Sequence, residues 1–192
     1  MRKGIVSGKI IYSMSVSLDG FVETPDRSLD WVIVDEELHR FFNEQARETR
    51  TSLYGRRLYQ LMAAYWPTAD ADPSNPDYMV EFSRIWKEKP KVVFSNTLEK
   101  VEWNSRLARG TIPEEIARLR EQPDNDMELG GPNLAANFTQ LGLIDEYRLF
   151  VQPVVLGAGT PFFPPLDAKI DLRLVETKTF ESGVVYLRYE SR

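Results

Sequence analysis

Cysteine is absent from the 192-residue chain, and histidine occurs once, at His39. The first absence removes disulfides, thiolate metal sites and cysteine nucleophiles together, and it fits a reducing compartment. The second excludes a zinc or iron centre built from several imidazoles, and with it deaminase chemistry of the His/Cys/Cys type. Positive charge is not in excess either. Lys+Arg total 24 against 29 Asp+Glu, for a net charge of -5, so no general field draws the surface toward nucleic acid or anionic lipid. No run reaches the roughly 18 apolar residues of a membrane span, and the opening MRKGIVSGK has no apolar stretch of leader length. These absences read as a cytoplasmic protein with no metal, nucleic-acid or membrane partner. P-loop and G-x-S-x-G signatures are missing too, and Gly157-Ala158-Gly159 lacks a third glycine and runs into Pro161, so it reads as a bulge or loop between strands.

What is present suffices for a sizeable core: 42% hydrophobic and 11% aromatic residues, in a length that suits one domain over 1–192. Lys9 to Val16 reads as a first strand, ending in Ser17-Leu18-Asp19-Gly20. Asp35 to Thr49 places Leu38, Phe41, Phe42 and Ala46 on one helical face, with Asp35 suited to the N-cap. Thr51 to Tyr54 is a short buried strand, and Gly55-Arg56-Arg57 leads into a helix with Leu58, Leu61, Met62 and Tyr65 inward. Pro67 to Pro76 is an inserted polar loop, with Asn75 the N-cap and Pro76 the first residue of the next helix. Lys91 to Ser95 is a strand, Val101 to Trp103 a short one, and Pro113 to Glu121 a helix with Ile116 and Leu119 inward. Met127 to Leu129 runs into Gly130-Gly131-Pro132-Asn133 and a helix showing Leu134, Phe138 and Leu141, stopped by Gly142. Beyond it only strands are signalled, in 146–156, 171–180 and 184–189. Strand-helix alternation followed by strands predicts a three-layer α/β fold whose mostly parallel sheet carries antiparallel C-terminal strands at one edge.

Ligands of such sheets bind beyond the C-terminal strand ends, where this sequence puts Gly20, Gly55 and Gly130-Gly131. Gly130 and Gly131 let backbone amides approach a ligand, and the helix starting at Pro132 offers a positive dipole end for a pyrophosphate; the same glycines also suit a plain strand-to-helix turn. Arg56 and Arg57 add guanidinium groups suited to bidentate phosphate binding, or form a solvated pair. Ser95 and Asn96 can contact an adenosine phosphate or simply make a turn.

In order along the chain, SLDGF at 17–21, LYGRR at 53–57, VFSNTL at 93–98, ELGGPNL at 128–134 and GLIDEY at 142–147 running into PVVLG at 153–157 resemble the dihydrofolate reductase-like family. The branch they resemble is the riboflavin-biosynthesis reductase, the C-terminal domain of bifunctional deaminase-reductases, over roughly residues 9–190 and without a deaminase half. The resemblance implies a dihydrofolate reductase-like fold and NADPH as cofactor. It puts Gly55 and Arg56 near the 2'-phosphate, with Arg57 beside them as a further cofactor-binding candidate, Ser95 and Asn96 near the adenosine, and Gly130, Gly131, Pro132, Asn133 and Leu134 around the pyrophosphate. It implies Trp31 beside the nicotinamide and Gly20 in a mobile loop that closes over it. The implied activity is hydride transfer to a small, pteridine- or pyrimidine-like substrate, with Asp35 as proton relay and Asp19 as a second carboxylate in the same mouth. For each, a local role remains open, an N-cap for Asp35 and a turn for Asp19. The alternative reading is a non-catalytic nucleotide sensor on the same scaffold. An edge of antiparallel strands must be paired or covered, so a homodimer through the C-terminal strands is expected.

Overall fold

The computed structural model describes residues 8–192. The N-terminal residues 1–7, on which part of the leader argument falls, lie outside them. The apolar run that opens the described chain becomes β1 (Ile10–Ser17), buried at both ends and central in the sheet, as expected of a strand covered on two faces. It is followed by β2 (Phe21–Glu23), α1 (Glu36–Glu48), β3 (Thr51–Gly55), α2 (Arg56–Ala69), α3 (Asp77–Glu88), β4 (Lys91–Phe94) and β5 (Ser105–Leu107). Then come α4 (Ile112–Arg120), β6 (Met127–Gly130), α5 (Pro132–Gln140), β7 (Glu146–Gln152), β8 (Thr160–Pro161), β9 (Leu172–Thr179) and β10 (Val185–Ser191). Eight strands form one sheet in the order β5-β4-β3-β6-β1-β7-β10-β9. The first six are parallel, with Tyr12 of β1 opposite Leu129 of β6 and Tyr147 of β7, and β10 runs antiparallel to both β7 and β9.

Alternation along the central strands sends Ile10, Tyr12, Leu53, Val92, Met127 and Leu129 to one face, where Ile116 and Leu119 of α4 and Leu134, Ala135 and Phe138 of α5 cover them. The opposite face holds two smaller cores. Leu38, Phe41 and Phe42 of α1 pack on Phe150 and Tyr186, and Tyr59, Trp66, Phe82 and Trp86 of α2 and α3 pack on Tyr54 and Val93. The result is three layers, with a two-stranded ribbon of β2 and β8 beside the sheet.

Several expectations are corrected. Helix α2 does not bury Leu61 and Tyr65, which are exposed; Tyr59, Met62, Ala63 and Trp66 face the core instead, because the N-terminal half of α2 overhangs a cleft. The helix also continues through Pro67 to Ala69, with Pro67 buried and the Ser83 hydroxyl donating to the Trp66 carbonyl at 2.6 Å in the last turn. Pro76 is the N-cap of α3 and not its first residue. The strand expected at 101–103 forms instead at 105–107, since Trp103 (φ 59°) and Asn104 (φ 52°) adopt left-handed backbone and turn the chain before it extends. Strand β7 stops at Gln152, one residue before Pro153, and Leu141 is exposed at the end of α5.

Candidate active site

Two helix N-termini meet at the C-terminal ends of β3 and β6, and neither carries a side-chain cap. Helix α2 starts directly on β3: Gly55 is its N-cap, without a side-chain hydrogen bond, and its first two residues are Arg56 and Arg57, with no acidic residue in the first turn. Helix α5 starts on Gly131, again without a side-chain cap or a first-turn acid. Cations at a helix N-terminus oppose the helix dipole, so α2 is arranged for an anion from outside the chain. The contrast is internal. Asp35 caps α1 ahead of Glu36 and Glu37, and Thr111 and Glu114 form a reciprocal capping box on α4.

Between the two open ends lies a cleft of about 390 Å³, within the roughly 300–1,000 Å³ usual for ligand pockets. Gly55, Arg56, Arg57, Gly131, Pro132, Asn133 and Leu134 all line it. Gly131 has φ 94°, a conformation that glycine adopts without strain and that turns the chain from β6 into α5. Gly130 stands just behind, in β6, where a Cβ would come within 2.5 Å of Leu58 Cδ2; its role is close packing of α2 on the strand.

Ser95 and Asn96 do not line the cleft but adjoin it, since Arg56 Nη1 donates to Thr97 Oγ1 at 3.0 Å. The Ser95 hydroxyl itself accepts the Thr97 and Leu98 amides at 3.1 and 3.0 Å, closing a turn. Gly20, Trp31, Asp19 and Asp35 are also outside the lining. Gly20 (φ 91°) makes the turn after β1, and Trp31 Nε1 donates to the Ser28 carbonyl at 3.2 Å. Asp19 accepts the Leu156 amide at 3.0 Å, the Gly157 amide at 2.7 Å and the Ser17 hydroxyl at 2.7 Å, and these bonds, the Leu156 amide first, hold its carboxyl below the usual range. It clamps the first loop to the one after β7. The Asp35 carboxylate accepts the Leu38 amide at 2.9 Å as the α1 cap.

The lining also contains residues that no sequence signal singled out. Met14, Val22, Leu29, Leu58, Leu61 and Phe94 make the cleft largely apolar. Asn137 and Arg27 add polar groups, and Glu23 is the one acid in the lining. Glu23 ends the short β2, where it reads as an ordinary polar residue at the start of a loop. Its partner Arg57 stands 34 positions away, a distance no local pattern encodes. Arg57 donates from Nη1 to Glu23 Oε1 at 2.9 Å and from Nη2 to Oε2 at 2.6 Å, and its guanidinium is the main cause that holds the Glu23 carboxyl below the usual range. Among the described residues no group of His, Asp and Glu could hold a metal ion, and no helix is long and apolar enough to cross a membrane.

Comparison with known proteins bears on the family and the fold. The family model of the RibD C-terminal domain matches residues 8–186. The uncharacterised protein YyaP of Bacillus subtilis (strain 168) is 36% identical over 190 residues, covering 98% of both chains. Among solved structures, a riboflavin-biosynthesis-like protein of Shewanella sp. PV-4 superposes with a TM-score of 0.76 at 22% identity, over 96% of this chain and 99% of that one. Dihydrofolate reductase from Enterococcus faecalis, complexed with NADP(H), superposes with a TM-score of 0.63 at 15% identity, over 97% and 98%.

Proposed function

The chain belongs to the RibD C-terminal domain family, which has the dihydrofolate reductase-like fold, and from that premise we propose that it is an NADPH-dependent reductase of a small pteridine- or pyrimidine-like heterocycle. The observation that carries the reading is the pair of helix N-termini that face one cleft with neither a side-chain cap nor an acid in the first turn, with the Arg56 guanidinium held, among the described residues, by one threonine hydroxyl. Free amides on both sides and an exposed guanidinium suit an extended ligand with more than one phosphate. The residues present therefore fit the cofactor: Gly131 and the amides of α5 would take the pyrophosphate, and Arg56 and Thr97 a phosphate at the adenosine end. Bound there, NADPH would supply a hydride, and the chain would bind, orient and exclude water. The apolar wall of Met14, Val22, Leu29 and Phe94 suits a flat ring.

Two measurements test this. Titration with NADPH and NADH followed by fluorescence is expected to show binding, stronger for NADPH. Loss of NADPH absorbance with reduced and oxidised pterins and pyrimidines is expected for at least one substrate. Absence of binding overturns the reading, and binding without turnover of any candidate favours a nucleotide sensor instead. The proposal extends to a homodimer. Strand β9 is a long edge with Leu174 and Val175 exposed, whereas the other edge, β5, is only three residues long.

A further inference from the structure

The second guanidinium of the cleft is not free as the first is. Arg57 and Glu23 meet fork to fork, the same bidentate geometry that arginine offers a phosphate. The carboxylate is built in. The Glu23 side chain is 8% exposed where that of Arg57 is 43% exposed. The Thr160 hydroxyl donates to Glu23 Oε1 at 2.8 Å, β2 and β8 pair at Glu23 and Thr160, and a Cβ on Gly159 would stand 2.0 Å from the Glu23 carbonyl oxygen. The residue is thus fixed by its own ribbon, and it reaches from there across the cleft to the first turn of α2. The other charge that acts on it is Arg27, which lines the same cleft.

A fixed negative charge beside a seat for phosphates opposes the ligand, unless the charge yields its place when the ligand arrives. We propose that Glu23 is an internal counter-anion: in the free protein it occupies the place on Arg57 that a ligand phosphate takes, and a phosphate-bearing ligand displaces it. The identity of that ligand as a dinucleotide rests on the reading above. Displacement has a second consequence. Losing the Arg57 hydrogen bonds, the largest influence that lowers the Glu23 carboxyl, raises its pKa in the complex, while the Thr160 hydroxyl and the Arg27 charge still act to lower it. Binding therefore takes up a proton in mildly acidic solution. Affinity for the phosphate ligand is set by Glu23 as much as by Arg57, and the cost that Glu23 imposes on it shrinks as pH falls.

Calorimetric titration of NADPH and, separately, inorganic pyrophosphate tests this near about pH 6, in two buffers of different ionisation enthalpy. Glu23→Gln keeps the shape and removes the charge, and it is expected to bind both probes roughly tenfold tighter or more, the scale of one charged hydrogen bond. The probes' own phosphates titrate alike in both proteins, so the difference is the readout: the wild type is expected to take up more protons per ligand bound than Glu23→Gln. Thr160→Val, which loosens the carboxylate without changing any charge, is expected to fall between the two and covers the case in which Glu23→Gln does not fold. A purely structural role for Glu23 predicts the opposite sign, weaker binding once the ribbon is loosened. Equal or weaker binding by a folded Glu23→Gln, or the same proton exchange in the two proteins, overturns the proposal. If NADPH binds the wild type and Glu23→Gln does not bind it more tightly, only the counter-anion role falls; if NADPH binds neither, the cofactor reading falls with it.

Discussion

Arg56 and Arg57 are neighbours in sequence with opposite commitments, and the difference sets what each substitution does. Arg56 is exposed and touches one hydroxyl, so Arg56→Ala is expected to leave the unfolding temperature unchanged and to weaken NADPH binding by roughly ten- to a hundredfold, the loss of about 1.5–3 kcal/mol from a hydrogen bond to a charged group. Calorimetry alongside thermal unfolding checks both halves. Gly159 is a residue of another kind. It combines φ 155° with a backbone oxygen where its Cβ would stand, so Gly159→Ala is expected to cost about 1–3 kcal/mol, read as a lower denaturation midpoint, by forcing β8 away from β2. The sequence marks Gly159 only as a loop glycine, because the collision partner, Glu23, lies far away in the chain. Arg56 was legible because its meaning is local: an arginine after a strand-end glycine needs no distant partner to suggest an anion.

At the scale of elements, apolar periodicity located all five helices and most of the strands, since each buries a stripe that repeats at its own period. The inward face of α2 was not legible. Leu58 and Leu61 satisfy a helical stripe, yet they line a cleft that exists only once β3, α2 and α5 are assembled. A second element-level feature is the lone histidine. His39 of α1 is buried among Trp66 of α2 and Tyr78 and Phe82 of α3, with ring centroids 5.8, 5.0 and 5.8 Å away, and its Nδ1 has no hydrogen-bond partner among the described residues. Burial pushes its pKa below the ordinary 6.5; its own backbone and Asn43 oppose that most, Glu81 opposes it less, and nearby Arg40 acts with burial. The unfolded chain therefore takes up the proton more readily than the folded one. Stability is full above the ordinary histidine value and declines as pH falls below it. Thermal unfolding from about pH 5 to 8 is expected to show that decline, and His39→Phe is expected to flatten it; an unchanged slope in the variant would place the titration elsewhere.

For the whole molecule, the open question that the edges pose is association. An eight-residue edge strand with exposed Leu174 and Val175 is a template for another strand, and pairing about a two-fold axis satisfies both copies at once. Light scattering is expected to give the mass of a dimer, and the double substitution Leu174→Glu with Val175→Glu that of a monomer; a wild-type monomer at high concentration refutes the pairing. The sheet order itself was only half legible, because which strands become neighbours depends on crossovers that composition does not encode, while the run of strands after Gly142 did mark the antiparallel side. The walls of the cleft come from β1, β2, β3, α2, β4 and α5, segments spread from Met14 to Asn137 that meet only when the central sheet is complete. Occupancy of that space is therefore coupled to global folding and not to the mobility of a single loop: a saturating ligand slows hydrogen-deuterium exchange in the amides of β1, β3 and β6, and a protease that cuts only after complete unfolding loses its substrate.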